Sequence, residues 1–158
     1  MNRIKYVIGI DPGVTTGIAR LNLHNEKINL LESMMIHNAM DFVQGFIHNS
    51  LIVVEDARKW NGWSKGQKSG EMRAKAQGAG SVKRDCKIWE DFLTDNEAFF
   101  VMKSPSAKGA KISHKLFKLY TGWDGGRTNA HCRDAGMLIY GYTQRDVNNL
   151  WEQFNNVN

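Results

Sequence analysis

The run Leu51-Ile52-Val53-Val54 limits more than any other feature how this chain can fold. Four consecutive apolar residues leave neither face of a strand polar, so the run predicts a central parallel strand that is covered on both faces. Cover on both faces requires helices above and below a sheet. The run therefore indicates an α/β domain.

The patterns around this run predict the other elements. Short apolar or alternating segments separated by turn signals predict three strands before it, at 6–10, 17–23 and 27–34. A further strand is predicted at 98–102. Apolar residues at helical spacing predict helices at 38–48, 72–93, 113–120, 129–142 and 143–154. An antiparallel meander thus comes first, and parallel crossovers follow.

The length of 158 residues predicts one domain that covers 1–158. The chain has no apolar run of 18 residues, which argues against a transmembrane helix. The apolar stretch near the start of the sequence is too short for a secretory signal. Cys86 and Cys132 stand in no C-x-x-C motif, which argues against a disulfide framework or a cysteine-rich zinc site. We therefore expect a cytoplasmic protein, in a bacterial cell or a phage-infected host.

Positive charge is concentrated in the middle of the chain. The net charge is +5, and residues 57–118 carry 14 Lys and Arg against 6 Asp and Glu, whereas the remainder is acidic. Such a basic stretch favours a polyanionic partner, with nucleic acid as the first choice. A solvated lysine-rich surface is the alternative.

Four ionisable residues fall where a core should be apolar. Asp11 follows the first strand, Glu55 follows the central run, and His131 and Asp134 share one face of a predicted helix. Because ligands of α/β sheets lie at the carboxyl ends of parallel strands, we expect these side chains to converge there. Converging carboxylates repel one another, and a divalent cation is the simplest neutraliser, with Mg²⁺ or Mn²⁺ suited to these ligands.

Each of these residues also has a structural explanation. Asp11 in Asp-Pro-Gly is a good turn former, and His131 can be an ordinary helix histidine. Glu55 and Asp56 are adjacent on a strand and face opposite sides, so only one of them can belong to the site. We choose Glu55, which is closer to the apolar run.

The segment Gly9-Ile10-Asp11-Pro12-Gly13-Val14-Thr15-Thr16-Gly17 is the sharpest motif. A strand, an acid and a glycine-containing turn occur in this order in two groups of proteins: the actin-like and sugar-kinase ATPases, and the RNase H-like nucleases. The ATPase fold needs two domains around the nucleotide, whereas this chain is long enough for only one. Together with Val53-Val54-Glu55, the Ala- and Gly-rich segment 76–80 and His131-Cys132-Arg133-Asp134-Ala135, the motif resembles the RuvC family of Holliday junction resolvases, and a phage or virus-type member in particular. His131 stands where many members of that family have Asp.

The resemblance implies an RNase H-like α/β fold: a mixed five-stranded sheet in which three antiparallel strands come first and parallel strands follow, with helices on both faces. It implies a homodimer that acts as a crossover junction endodeoxyribonuclease and hydrolyses phosphodiesters in four-way DNA junctions by paired symmetric nicks. It also implies two Mg²⁺ or Mn²⁺ ions per active site, which Asp11, Glu55, His131 and Asp134 would bind.

Basic and aromatic residues of the middle segment are the candidate DNA contacts. The spacing of Lys111, Lys115 and Lys118 predicts one helical face along which phosphates can lie. The segment 58–70, predicted as a long loop, mixes tryptophans with positive charge, which suits unstacked bases, although the tryptophans can also belong to the core. The full set is Arg58, Lys59, Trp60, Trp63, Lys65, Lys68, Lys103, Lys108, Lys111, Lys115 and Lys118.

Two other functions are compatible with the same residues. One is a general nuclease of the RNase H-like class that acts on flaps or other branched DNA. The other is a junction-binding module without cleavage, which is disfavoured because all four site positions hold plausible ligands.

Overall fold

The computed structural model describes residues 4–59, 69–105 and 111–157. The strands are β1 (Tyr6–Asp11), β2 (Thr15–Asn22), β3 (Lys27–Met35), β4 (Ser50–Glu55) and β5 (Phe100–Lys103). The helices are α1 (Ile36–Gln44), α2 (Ser69–Asp95), α3 (His114–Thr121), α4 (Ala130–Ile139) and α5 (Gln144–Val157).

The five strands form one mixed sheet in the order β3-β2-β1-β4-β5. β1 pairs antiparallel with β2, and β2 pairs antiparallel with β3. β4 pairs parallel with β1 on one side and with β5 on the other. The predicted meander followed by parallel crossovers is therefore confirmed.

The central run divides its side chains between two cores. All four residues from Leu51 to Val54 are fully buried. Leu51 and Val53 join a cluster with residues of α3, α4 and α5, whereas Ile52 and Val54 join a second cluster with residues of α1 and α2. The continuous apolar run is explained by this double cover, since each face of β4 is packed against helices.

Several element boundaries differ from the predicted ones. α1 ends at Gln44 and a short 3-10 turn follows at Ile47–Asn49, so the helix over 38–48 was predicted too long. α4 ends at Ile139 because Tyr140 has extended ψ and Gly141 has a φ of +88°. The segment 58–70 is not a loop throughout: a 3-10 turn covers Ala57–Lys59 and α2 begins at Ser69, while 60–68 lies outside the described residues.

Two further features bear on the class of protein. Both cysteines are buried free thiols. Within the described residues, none of the helices combines the length and the apolar character that a membrane crossing requires.

Helix α4 lies directly against the backbone of β1 and β2. A Cβ atom at Gly17 would stand 2.2 Å from the carbonyl oxygen of His131, and a Cβ at Gly9 would stand 2.2 Å from the carbonyl oxygen of Ala135. Because backbone oxygens of a helix cannot move aside as a flexible side chain can, only glycine fits at both strand positions. These two contacts set the distance between α4 and the sheet.

We expect Gly17→Ala to lower the free energy of unfolding by about 1–3 kcal/mol, because the added methyl group overpacks the contact with α4. The matched control is Gly78→Ala on α2, where a Cβ would meet nothing within 4 Å. There the better helix propensity of Ala should raise stability by up to about 1 kcal/mol. Urea denaturation measures both changes. A Gly17→Ala protein as stable as the parent would contradict the close approach of α4.

Candidate active site

Asp11 is the last residue of β1 and is only 9% exposed. The turn that follows is closed by the Thr16 hydroxyl, which donates to the carbonyl oxygen of Gly13 at 2.7 Å. Asp-Pro-Gly thus forms the turn that its sequence suggests, but the Asp11 carboxyl group makes its contacts with residues distant in sequence. The turn-forming role of this residue does not account for those contacts.

Glu55 is brought next to Asp11 by strand pairing. β4 runs parallel to β1, so the two strands end at the same edge of the sheet. The Glu55 carboxyl group is hydrogen-bonded to that of Asp11. Asp56 does not share this position, because it is 2% exposed and its carboxylate binds Arg58. Of the two adjacent acids, the structure places Glu55 beside Asp11.

Helix α4 brings His131 and Asp134 to the same edge of the sheet. The helix is capped by Asn129, whose side-chain oxygen accepts a hydrogen bond from the backbone N–H of Cys132 at 3.0 Å. A hydrogen bond of 2.9 Å joins His131 Nδ1 to Asp11 Oδ2. The sequence placed His131 on the side of Asp134, whereas the structure pairs it with Asp11. All four predicted site residues therefore belong to one cluster.

The cluster is electrostatically strained. Burial raises the pKa of Asp11, the hydrogen bond from His131 opposes that shift, and the charge of Asp134 adds to it. Burial also raises the pKa of Glu55 to about 7, and the negative charges of Asp11 and Asp134 act in the same direction. Glu55 can therefore retain a proton near neutral pH, in its hydrogen bond to Asp11.

Lys111 is a member of the cluster that the sequence did not identify as such. Its ammonium group lies 3.1 Å from Asp134 Oδ2, and its charge opposes the rise in the pKa of Glu55. The prediction that Lys111 shares a helical face with Lys115 and Lys118 is wrong. Ser113 caps α3, so Lys111 lies before the helix begins. No sequence signal marks this contact, since it depends on how the loop before α3 folds back onto α4.

Arg133 holds that loop in place. Its guanidinium donates to the carbonyl oxygen of Ile112 at 2.8 Å and to that of Thr128 at 2.7 Å. Because Ile112 follows Lys111 directly, this contact ties the backbone next to the lysine to the helix that carries Asp134. The Lys111–Asp134 ion pair thus joins two segments that are already fastened together.

The oxygen and nitrogen atoms of the cluster are of the kind that a hard divalent cation binds. In the structure, however, these side chains are bonded to one another or to Lys111. Three carboxyl groups and one imidazole are the ligands that Mg²⁺ or Mn²⁺ accepts. In the part of the chain that the structure describes, no three His, Cys, Asp or Glu side chains are grouped so that they could hold a metal ion. The negative charge is instead reduced by the proton on Glu55 and paired with Lys111, while His131 forms a hydrogen bond with Asp11. The donor set therefore suits a cation by its chemistry, and its side chains would have to leave their present partners to bind one.

The predicted DNA contacts fall in several places. Lys115 and Lys118 are exposed on α3, and Lys103 ends β5 opposite Glu55 in the strand register. Arg58 is bound to two carboxylates, and Lys59 donates to the carbonyl oxygen of Met102 at 2.7 Å. The others lie outside the described residues: Trp60, Trp63, Lys65, Lys68 and Lys108.

Comparison with known proteins identifies the fold. No protein-family model and no curated protein sequence matches the chain. Among solved structures, the chain is similar to T. thermophilus RuvC in complex with Holliday junction substrate, with a TM-score of 0.53 and 15% sequence identity. The match covers 84% of this chain and 88% of that chain. The fold is therefore RuvC-like, a mixed five-stranded sheet of the RNase H-like class surrounded by helices, as the motif resemblance implied.

The raised pKa of Glu55 predicts a specific pH dependence of stability. The folded chain keeps this proton up to about pH 7, whereas the ordinary pKa of 4.5 describes the unfolded chain. Between these values the folded state binds more protons, so the Glu55 contribution to stability falls as pH rises. Glu55→Gln carries no such proton. Its free energy of unfolding relative to the parent should therefore increase by on the order of 1–3 kcal/mol between pH 5 and pH 8.

Urea denaturation of both proteins with a chelator present measures this difference. The matched control is Glu152→Gln on α5, an exposed acid that should follow the parent at both pH values. Parallel curves for Glu55→Gln and the parent would show that Glu55 titrates normally.

Proposed function

We propose that this chain is a metal-dependent endodeoxyribonuclease that resolves four-way DNA junctions by paired symmetric nicks. The observation that carries the proposal is the cluster of Asp11, Glu55, His131 and Asp134 at the carboxyl edge of a RuvC-like sheet. A buried group of like charges is costly to maintain, and its cost is accounted for if the group binds cations during catalysis. The motif resemblance points to the same activity.

Each residue of the cluster has a proposed task. Asp11 would be shared between two metal ions, while Glu55 and Asp134 would each bind one of them. His131 would orient the Asp11 carboxylate through Nδ1 and retain Nε2 as a possible ligand atom. Bound Mg²⁺ or Mn²⁺ would supply an activated water and charge stabilisation at the leaving oxygen.

Glu55 would release its proton when it becomes a ligand, because only the ionised carboxylate binds a cation well. With a pKa of about 7, that release is nearly free of cost at neutral pH. The ammonium group of Lys111 would then be available to a DNA phosphate next to the reacting bond, once Asp134 is engaged elsewhere.

The DNA would lie along the basic middle of the chain. No acidic residue occurs between Lys103 and Lys118, and the exposed side chains of Lys115 and Lys118 are spaced to lie on one face of α3. Phosphate contacts of this kind supply affinity and orientation without reading sequence. The predicted contacts of the segment 60–68 would complete the path at the junction centre.

A homodimer would supply two active sites related by a two-fold axis. A four-way junction can adopt the same symmetry, so each subunit would nick one of two strands of like polarity. We further propose a phage or virus-type member of the family that acts in the cytoplasm of a bacterial cell or an infected host.

Cleavage of a synthetic four-way junction in Mg²⁺ or Mn²⁺ tests the proposal. The parent should introduce two symmetric nicks. Asp11→Asn should abolish them and leave junction binding nearly intact, because it removes a metal ligand but no DNA contact. Cuts confined to flaps or single-stranded ends would instead indicate a general branched-DNA nuclease, and binding without any cut would indicate a junction-binding module. A fully active Asp11→Asn protein would refute the assigned site.

The salt dependence of junction binding tests the role of α3. Each phosphate contact contributes about −0.9 to the slope of log affinity against log salt. The double variant Lys115→Ala/Lys118→Ala should therefore have a slope shallower by up to about two units. Lys27→Ala is the matched control, since this exposed lysine pairs with Asn22 at the opposite end of the sheet. An unchanged slope in the double variant would exclude α3 from the DNA path.

A further inference from the structure

Three charged side chains fasten the end of β4 to helix α2. Arg58 binds the Asp56 carboxylate with two nitrogens, Nε to Oδ1 at 2.7 Å and Nη2 to Oδ2 at 2.9 Å. Its third nitrogen, Nη1, donates to Glu90 Oε2 at 2.8 Å. We refer to Asp56, Arg58 and Glu90 as the Arg58 clamp. It links Asp56, the residue next to Glu55, to Glu90 on α2, which is 32 positions from Arg58 in the chain.

The Arg58 clamp is largely shielded from water. Asp56 is 2% exposed, and the side chains of Arg58 and Glu90 are 29% and 33% exposed. The guanidinium lowers the pKa of both carboxyl groups, chiefly through its hydrogen bonds to them. Breaking the Arg58–Asp56 pair would leave the buried Asp56 charge uncompensated, so Asp56 in particular holds Arg58 in this orientation. A planar fork of this kind fixes direction as well as distance.

The backbone around Glu55 is fastened at two further points. The Cys86 thiol on α2 contacts the carbonyl oxygen of Glu55 at 3.5 Å, and the Asp56 backbone N–H donates to the carbonyl oxygen of Lys103 at 2.7 Å. The Arg58 backbone N–H donates to Asp56 Oδ1 at 3.1 Å, which tightens the turn after the strand. Glu55 is thus the last residue of β4 before a turn that the Arg58 clamp holds against α2.

We propose that Arg58 is a positioning residue for Glu55, and that the Arg58 clamp couples the orientation of α2 to the geometry of the active site. This inference rests on the function proposed above. Asp56 and Glu55 point to opposite sides of one strand end, so a rotation of the backbone that frees Asp56 also turns Glu55 away from Asp11. Holding Asp56 therefore holds Glu55.

This role differs from the DNA contact that the sequence suggested for Arg58. Three of its nitrogens already donate to carboxylates within the chain. A phosphate contact through Nε or Nη2 would have to break the pair with the buried Asp56 carboxylate, which is strongly unfavourable. A positioning residue instead acts before DNA arrives, and its effect must be visible without DNA.

Two variants separate the two roles. Arg58→Lys keeps the positive charge but loses the two-pronged bond to Asp56. Glu90→Gln weakens the link to α2 and removes no positive charge. Lys27→Met is the control for loss of a positive charge, since Lys27 is exposed at the opposite end of the sheet and belongs to neither the Arg58 clamp nor the predicted DNA path. Urea denaturation of each protein shows that it is folded.

The first measurement is Mn²⁺ binding to the full chain without DNA. Arg58→Lys should weaken it by about tenfold, in the range found when residues that orient metal ligands are replaced. Glu90→Gln should weaken it by a smaller factor, and Lys27→Met should not change it. Parent-like Mn²⁺ affinity in Arg58→Lys would overturn the proposal. So would an Arg58→Met protein that binds Mn²⁺ normally and has a salt slope of junction binding shallower by about one unit, which would assign Arg58 to DNA.

The second measurement does not depend on metal or on nuclease activity. At pH 8, Glu55→Gln should stabilise the fold, because it removes the repulsion between the carboxylates of Glu55 and Asp11. The repulsion exists only if Glu55 is held beside Asp11, so the size of the stabilisation reports the position of Glu55. In an Arg58→Lys background the stabilisation by Glu55→Gln should fall to half or less of its value in the parent. Equal stabilisation in both backgrounds would show that the Arg58 clamp supports the fold without positioning Glu55, and would refute the inference. A parent that neither binds Mn²⁺ nor cuts DNA would refute the proposed function, while this cycle would still decide the role of Arg58.

Discussion

The contact between α4 and the backbone of β1 and β2 is the constraint on which the site depends. Gly9 and Gly17 have no side chains, so the carbonyl oxygens of His131 and Ala135 lie where a Cβ atom would otherwise be. This short distance brings the His131 imidazole within hydrogen-bond reach of Asp11. A helix held farther from the sheet by one methyl group could not make that contact. The glycines of the first motif therefore shape the candidate active site through packing as well as through the turn.

The charge of the site is balanced by groups of three kinds. A proton on Glu55 reduces the repulsion with Asp11, His131 stabilises the Asp11 carboxylate, and Lys111 pairs with Asp134. None of these contacts involves a fully buried ion pair, so each costs less to break than the Arg58–Asp56 pair would. The Arg58 clamp is different, since its Asp56 carboxylate is almost fully buried. The charges of the site are thus less deeply buried than the ion pair next to it.

The sequence predicted some elements better than others for identifiable reasons. The run of 51–54 and the alternation in β2 reflect burial, which is a local pattern, so both strands were found. The limits of α3 and α4 depend on Ser113 as a cap and on the positive φ of Gly141, which are details of a few atoms. For the same reason Lys111 was assigned to a helical face that does not include it. Spacing describes a helix only where the helix has formed.

The sequence by itself predicted the mixed α/β sheet, with an antiparallel meander before the parallel strands, and singled out four candidate site residues near its carboxyl edge. It could do so because patterns of a few residues mark these features. One is a strand that ends in an acid, and the other is a histidine and an acid three residues apart on a helix. Only the tertiary structure decided which partner each side chain takes: His131 with Asp11, Lys111 with Asp134, and Arg58 with Asp56 and Glu90. Most of these pairs join residues that are distant in sequence, and which of them form depends on how closely the helices approach the sheet. That approach is set by packing of the whole core, which no local pattern encodes.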